Sequence, residues 1–139
     1  MKIFFGRQAP DDSYRVVGYK RNIDDICDDS EATEIYAPDI LDYIDIKKHR
    51  DFIIHIINKL RHGGQLTIGG TDIINLSLNV FNKNLTIEQA NEAVFGTVDT
   101  PNKVALTSLE AVRKIILETD LRINKQVCEP NFLIGAKRL

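Results

Sequence analysis

The joints between the first strand-like segments of this chain are too short to hold a helix, which limits how its sheet can be built. Lys2 to Gly6 is apolar and aromatic, and Tyr14 to Tyr19 is rich in strand formers. Ile23 to Cys27 is a shorter candidate, and Thr33 to Ala37 is a fourth, stopped by Pro38. The joints are Arg7 to Ser13, with its turn formers Pro10-Asp11-Asp12-Ser13, then Lys20 to Asn22 and Asp28 to Ala32. A crossover between parallel strands, helix included, takes at least ~10–12 residues. Either the helices of one sheet face are missing, or the early strands run antiparallel.

Beyond Ala37 a helical period takes over. Asp45 stands as the N-cap of a helix whose Phe52, Ile53, Ile56, Ile57 and Leu60 make one apolar face. Lys59, Arg61 and His62 suit its negative end, and Gly63-Gly64 supplies a left-handed stop. Gln65 to Ile68 follows as a strand, with Gly69-Gly70-Thr71-Asp72 as the loop leaving it. A helix, a glycine stop and an immediate strand form the second half of a parallel α/β unit. Thr86 with Gln89, and Thr107 with Glu110, are capping-box patterns ahead of two more helices, separated by a loop that contains Pro101. Arg122 to Cys128 and Phe132 to Ala136 flank a turn at Glu129-Pro130-Asn131 and read as a terminal antiparallel hairpin. The fold class is therefore α/β. The sheet is mostly parallel with a C-terminal hairpin and reduced helices on one face, in a single domain over residues 1–139.

Charge and composition exclude several functions. Lys and Arg number 18 against 20 Asp and Glu, a net charge of −2, which argues against a nucleic-acid partner. No apolar run approaches the ~18 residues that span a bilayer, and the N-terminus is unlike a signal peptide, so the chain reads as cytoplasmic with no membrane partner. Cys27 and Cys128 stand a hundred residues apart with no metal-ligand spacing around them, and both read as small buried hydrophobes. No metal site is expected. From Asp24 to Asp45 nine acids occur without one Lys or Arg, a set of solvated loops or a surface for a cation or polar ligand. His49 reads as solvent-facing, His62 as a helix C-terminal cation, and His55 as partly buried among isoleucines.

From Glu34 onward the chain resembles the small class I S-adenosylmethionine-dependent methyltransferases of polysaccharide-related gene clusters. Thr33-Glu34-Ile35-Tyr36-Ala37, leading to Leu41-Asp42-Tyr43, is similar to that family's Asp-Glu-Ile-Tyr-Ala strand and Leu-Glu-His segment. Lys59-Leu60-Arg61-His62-Gly63-Gly64 is similar to its Leu-Lys-Pro-Gly-Gly, and Thr71-Asp72 to its Pro-Asp loop. Ala93-Val94-Phe95-Gly96 resembles its Ile-Tyr-Gly insert, and Gly135-Ala136-Lys137-Arg138 its closing hairpin. The resemblance implies a Rossmann-like methyltransferase sheet with S-adenosylmethionine as cofactor. It places Gly6 at the remnant of the cofactor's glycine turn, Asp28 at the acidic residue that contacts adenine, and Ala37 at the strand end beside the cofactor. Departures fall at this site. Phe4-Phe5-Gly6-Arg7 keeps one glycine, Gly18-Tyr19-Lys20 stands where an acid would hold the ribose, and Tyr43 replaces the family's His.

Asp72, at the carboxyl end of the central strand, is the candidate general base or acceptor-holding group, against a plain turn-forming role. A small polar acceptor would lie near Asp39, Asp42 and Asp72. Two functions follow. One is a dimeric binding or assembly module whose uncovered sheet face, through Ile3 to Phe5 and Val16 to Tyr19, buries against a second copy. The other is an active S-adenosylmethionine-dependent methyltransferase on a small polar or saccharide acceptor.

Overall fold

The computed structural model describes residues 1–19, 22–98, 102–128 and 131–139. Six strands form one sheet: β1 (Lys2–Phe5), β2 (Tyr14–Val17), β3 (Ala32–Ala37), β4 (Leu60–Thr71), β5 (Leu121–Cys128) and β6 (Asn131–Arg138). Their order is β2-β1-β3-β4-β6-β5. The first four strands are parallel, and β6 runs antiparallel to both β4 and β5. The mostly parallel sheet and the terminal hairpin are as the sequence predicts.

The antiparallel alternative for the early strands is overturned. β1 and β2 pair in parallel, Lys2 with Tyr14 through Phe5 with Val17, although only Gly6 to Ser13 joins them. The reason is strand length. Returning along a four-residue strand takes about 13 Å, which a few extended residues span without a helix. The strand expected at Ile23 to Cys27 is also absent: Ile23–Asp25 is a 3-10 turn, with Asn22 accepting the Asp24 amide N–H.

The described residues also form four α-helices: α1 (His49–Lys59), α2 (Ile73–Phe81), α3 (Ile87–Phe95) and α4 (Leu109–Leu117). Asp45 caps a 3-10 turn, Ile46–Lys48, that runs directly into α1. α1 ends at Lys59 rather than at the glycines, because Leu60 already pairs with Ala32. Gly63, at φ 80, instead sits in the irregular start of β4. The Thr86–Gln89 capping box is present. At α4 the cap is Ser108 instead of Thr107, whose backbone bridges to Asp72. Gly69 to Thr71, read from sequence as a loop, instead belong to β4, and Asp72 caps helix α2 directly after it.

α1 and α4 pack on each other and on one sheet face. Ile3, Phe5, Val17, Ile35, Leu66 and Ile134 point to that side and are buried with Ile53, Ile56 and Ile116. Each such side chain contributes about 1.5–3 kcal/mol relative to leaving it in water. The opposite face carries Phe4, Tyr14 and Tyr36, with no helix packed over them among the described residues. Of the residues expected to meet a second copy, Ile3, Phe5 and Val17 are therefore already buried within the chain. No helix among the described residues is long and apolar enough to cross a membrane.

Candidate functional site

The carboxyl ends of the parallel strands gather most of the residues singled out in the sequence. β1 runs out at Phe5 into Gly6, whose amide N–H donates to the Val17 carbonyl, and β2 runs out through Gly18 into Tyr19. β3 ends at Ala37, followed by Pro38 and Asp39, and the 3-10 turn Ile40–Tyr43 crosses the edge toward β4. Gly69 of β4 makes this crossing possible. A Cβ there would lie 2.5 Å from the Pro38 carbonyl oxygen and 2.3 Å from that of Phe132.

At the centre of this edge the Tyr19 hydroxyl donates to Asp39 Oδ2 at 3.0 Å, and the Tyr19 ring stacks on Tyr43 with centroids 4.0 Å apart. Asp39 Oδ1 is buried with no hydrogen-bond partner among the described residues. Burial raises the Asp39 carboxyl above the ordinary carboxylate range, and burial likewise pushes the Tyr19 phenol up, so the phenol stays protonated as donor. Tyr19 also walls a cavity of about 580 Å³, completed by Phe5, Ile23, Ile44, Phe52 and His55 among others. That volume lies in the range of small-molecule pockets.

Two neighbouring carboxylates are structural in their contacts. Asp42, 2% exposed, accepts the Thr71 amide N–H at 2.7 Å and the Thr71 hydroxyl at 3.0 Å, and pairs with Lys103 Nζ at 3.4 Å. Asp72, 5% exposed, accepts the Asn75 amide at 2.8 Å and the Leu109 amide at 2.7 Å, tying the starts of α2 and α4 to the end of β4. Both of its oxygens are thus committed to backbone N–H groups, the geometry of a cap.

Gly6 and Ala37 share this edge, and Asp28 does not. No strand lies between β2 and β3 among the described residues for Asp28 to follow. It sits just before β3, at the opposite end of the sheet, its amide donating to Glu31. Gly6 is needed by its own chain: a Cβ would lie 2.6 Å from the Phe4 ring. Tyr19 and Lys103 are the residues sequence reasoning missed, since no local pattern tells which strand end or carboxylate they meet. His49 and His55 exchange their expected roles. His49 is buried, its Nε2 2.7 Å from the Ile44 carbonyl, whereas His55 is exposed and pairs with Asp24. Exposed His62 lies on β4, its Nδ1 at the Leu139 carbonyl, instead of closing a helix. Cys27 is buried and Cys128 half-buried. Lys20, Arg21, Pro101 and the Glu129-Pro130 turn lie outside the described residues.

No family model matches the chain, and no curated protein matches it. Solved structures do. An O-methyltransferase family protein from Burkholderia thailandensis superposes with a TM-score of 0.60 at 16% identity, over 89% of this chain and 36% of that one. The fold is that of the methyltransferases. A magnesium protoporphyrin IX methyltransferase from Synechocystis with bound SAH gives 0.58 at 11%, over 91% and 52% of the two chains. A SAM-dependent methyltransferase from Methanosarcina mazei gives 0.56 at 14%, over 91% and 66%. The chain thus spans from about a third to two thirds of the length of these methyltransferases.

The raised Asp39 carboxyl has a consequence for stability. A folded-state value above the unfolded one means that stability from the neutral form is present at low pH and lost as pH rises through the folded value. Asp39→Asn keeps an acceptor for Tyr19 and removes the buried charge. Urea unfolding is expected to find the variant more stable than wild type near pH 7, with the gap closing toward about pH 4. An equal gap at both pH values contradicts this.

Proposed function

We propose that this chain is a methyltransferase-fold binding and assembly module that transfers no methyl group on its own. The observation that carries the reading is the short, helix-free crossover between the parallel strands β1 and β2. In a doubly wound nucleotide site, that crossover supplies a glycine turn and a helix N-terminus, and the next strand end supplies an acid for the ribose hydroxyls. Here no helix starts behind Gly6 among the described residues, and the space above Gly6 is filled by Phe4. Tyr19 at the end of β2 gives its hydroxyl to Asp39, and Asp28 stands at the far edge. S-adenosylmethionine does not fit this residue set. Incubation with methyl-labelled S-adenosylmethionine and a panel of small polar and saccharide acceptors is expected to leave the label in the cofactor. Transfer above the protein-free background overturns the proposal.

One observation favours the second reading, an active S-adenosylmethionine-dependent enzyme of the small polysaccharide-cluster kind. Asp39 holds a buried oxygen with no hydrogen-bond partner among the described residues, and Tyr19, which donates to its other oxygen, walls a ligand-sized cavity. In that reading Asp72 has no uncommitted oxygen for an acceptor, because both already accept hydrogen bonds from backbone N–H groups.

Assembly needs a surface, and α2 offers one. Ile74, Leu78 and Phe81 recur along one side of the helix and are 59%, 55% and 82% exposed. Residues 73–81 include no charged side chain. A two-fold interface sets each patch against its own copy, so a charge-free apolar stripe is complementary to itself. Sedimentation velocity at high concentration is expected to show a homodimer that Leu78→Glu converts to monomer. A wild type that stays monomeric, or a dimer indifferent to Leu78→Glu, rejects the α2 interface.

A further inference from the structure

The helix-free sheet face sorts its side chains in a way that the whole-chain charge conceals. Strand register places two rows across it. One runs Tyr14, Lys2, Glu34, Gln65, Lys137, Arg122, and the other Val16, Phe4, Tyr36, Thr67, Gly135, Lys125. At the β2-β1-β3 end the rings of Tyr14 and Tyr36 meet Phe4 edge to face, with centroids 6.3 and 5.6 Å away. Toward the β6-β5 end stand Arg122, Lys125 and Lys137, all exposed, with no carboxylate partner among the described residues. The acid in these rows, Glu34, is already engaged by the Tyr14 hydroxyl at 2.7 Å and by Lys2 at 3.8 Å. Between the two ends Gly135 lowers the floor, and Gln65 and Asn124 exchange amide hydrogen bonds beside it.

Asp11, in the joint between β1 and β2, is close enough to Lys2 and Tyr14 to act on both at the aromatic end, while other acids lie off this face. Asp24 and Asp29 hold Lys59 in the loops before β3, and Asp39, Asp42 and Asp72 sit at the carboxyl edge. The β6-β5 end of the face is cationic.

We propose that this face binds single-stranded nucleic acid. Tyr36, half-buried beside Phe4, provides ring surface for an unstacked base, with Lys2 already over the Tyr14 ring at 5.2 Å from its centroid, while Arg122, Lys125 and Lys137 take the phosphates two and three strands from Tyr36. Neighbouring strands lie about 4.8 Å apart, so Tyr36 and Lys125 are roughly 14 Å from each other across the sheet. A short run of nucleotides spans that distance. Sequence-tolerant readers of single strands combine these two features, aromatic platforms and a basic track. A duplex keeps its bases stacked inside and leaves the Tyr36 ring unused. A second copy is a poor occupant here, because a two-fold axis would set these cations against themselves. This inference is independent of the cofactor reading, since it uses the opposite side of the sheet from α1.

The test is fluorescence anisotropy of the full chain with a labelled 12-nucleotide oligo(U) and a DNA duplex of the same length. Oligo(U) is expected to bind, and the duplex to bind at least tenfold more weakly. With three phosphate contacts, raising salt from about 50 to 200 mM weakens single-strand binding roughly 18-fold. Lys125→Glu with Lys137→Glu, both on exposed side chains, is expected to abolish most of the binding and flatten that salt slope. Tyr36→Ala is expected to weaken binding roughly tenfold at unchanged slope. The proposal is overturned by no anisotropy change at high protein concentration, by equal duplex binding, or by tight binding of an acidic peptide that Tyr36→Ala does not alter.

Discussion

Replacing Asp42 with alanine is expected to cost about 3–5 kcal/mol of folding stability, the range for breaking a buried pair by removing one partner. The carboxylate is nearly inaccessible, and it satisfies the amide and hydroxyl of Thr71, itself buried, while neutralising Lys103, whose side chain is 14% exposed. Alanine leaves a buried N–H without an acceptor and a nearly buried ammonium without a counter-charge. The backbone carbonyl of residue 42, which accepts the amides of Val104 and Ala105, is unchanged by the substitution, so the expected loss comes from the carboxylate alone. Asp42→Asn keeps an acceptor for the Thr71 amide and is expected to lose less. Urea unfolding followed by circular dichroism measures both. An alanine variant within about 1 kcal/mol of wild type would show that the pair does not hold the edge together.

Asp72→Ala is expected to cost about 2–4 kcal/mol, because one carboxylate serves two helix starts. Loss of an N-cap alone costs about 0.5–2 kcal/mol. Here the second oxygen holds the Leu109 amide, so α4 loses its tie to β4 as α2 loses its cap. Asn offers only one carbonyl oxygen to these two donors, and Asp72→Asn is expected to fall between alanine and wild type. The same unfolding curves check it. An asparagine variant as unstable as alanine would assign the whole effect to charge rather than to the pair of hydrogen bonds.

The backbone plan was legible where the pattern was local. The apolar period of Ile53, Ile56 and Ile57 marked α1, the Thr86–Gln89 box marked α3, and two β-rich runs around a turn marked the hairpin. α2 escaped because Ile73–Phe81 mixes apolar residues with Asn and Ser and includes no charged face to set the period. Its cap, Asp72, looks the same in sequence whether it closes a turn or opens a helix. Short joints pointed correctly to missing helices, and the parallel pairing of β1 and β2 followed from the brevity of β1, which the joint length alone does not reveal. The site depends on pairings distant in sequence. Tyr19 meets Asp39 only because β2, β1 and β3 lie side by side, and Lys103 meets Asp42 across the sheet edge. The cationic end of the sheet face was hidden for the same reason: a charge sum has no register, whereas Arg122, Lys125 and Lys137 share a face only once β5 and β6 are paired.

The central claim is that the methyltransferase sheet has been kept while the cofactor's ribose side has not. Calorimetric titration of the purified chain with S-adenosylhomocysteine tests it most directly. The expected result is no heat beyond dilution at about millimolar ligand, with the protein folded throughout. Saturable binding at micromolar strength, about −8 kcal/mol, would mean that Tyr19, Asp39 and the cavity behind them still form the pocket, and would contradict the account.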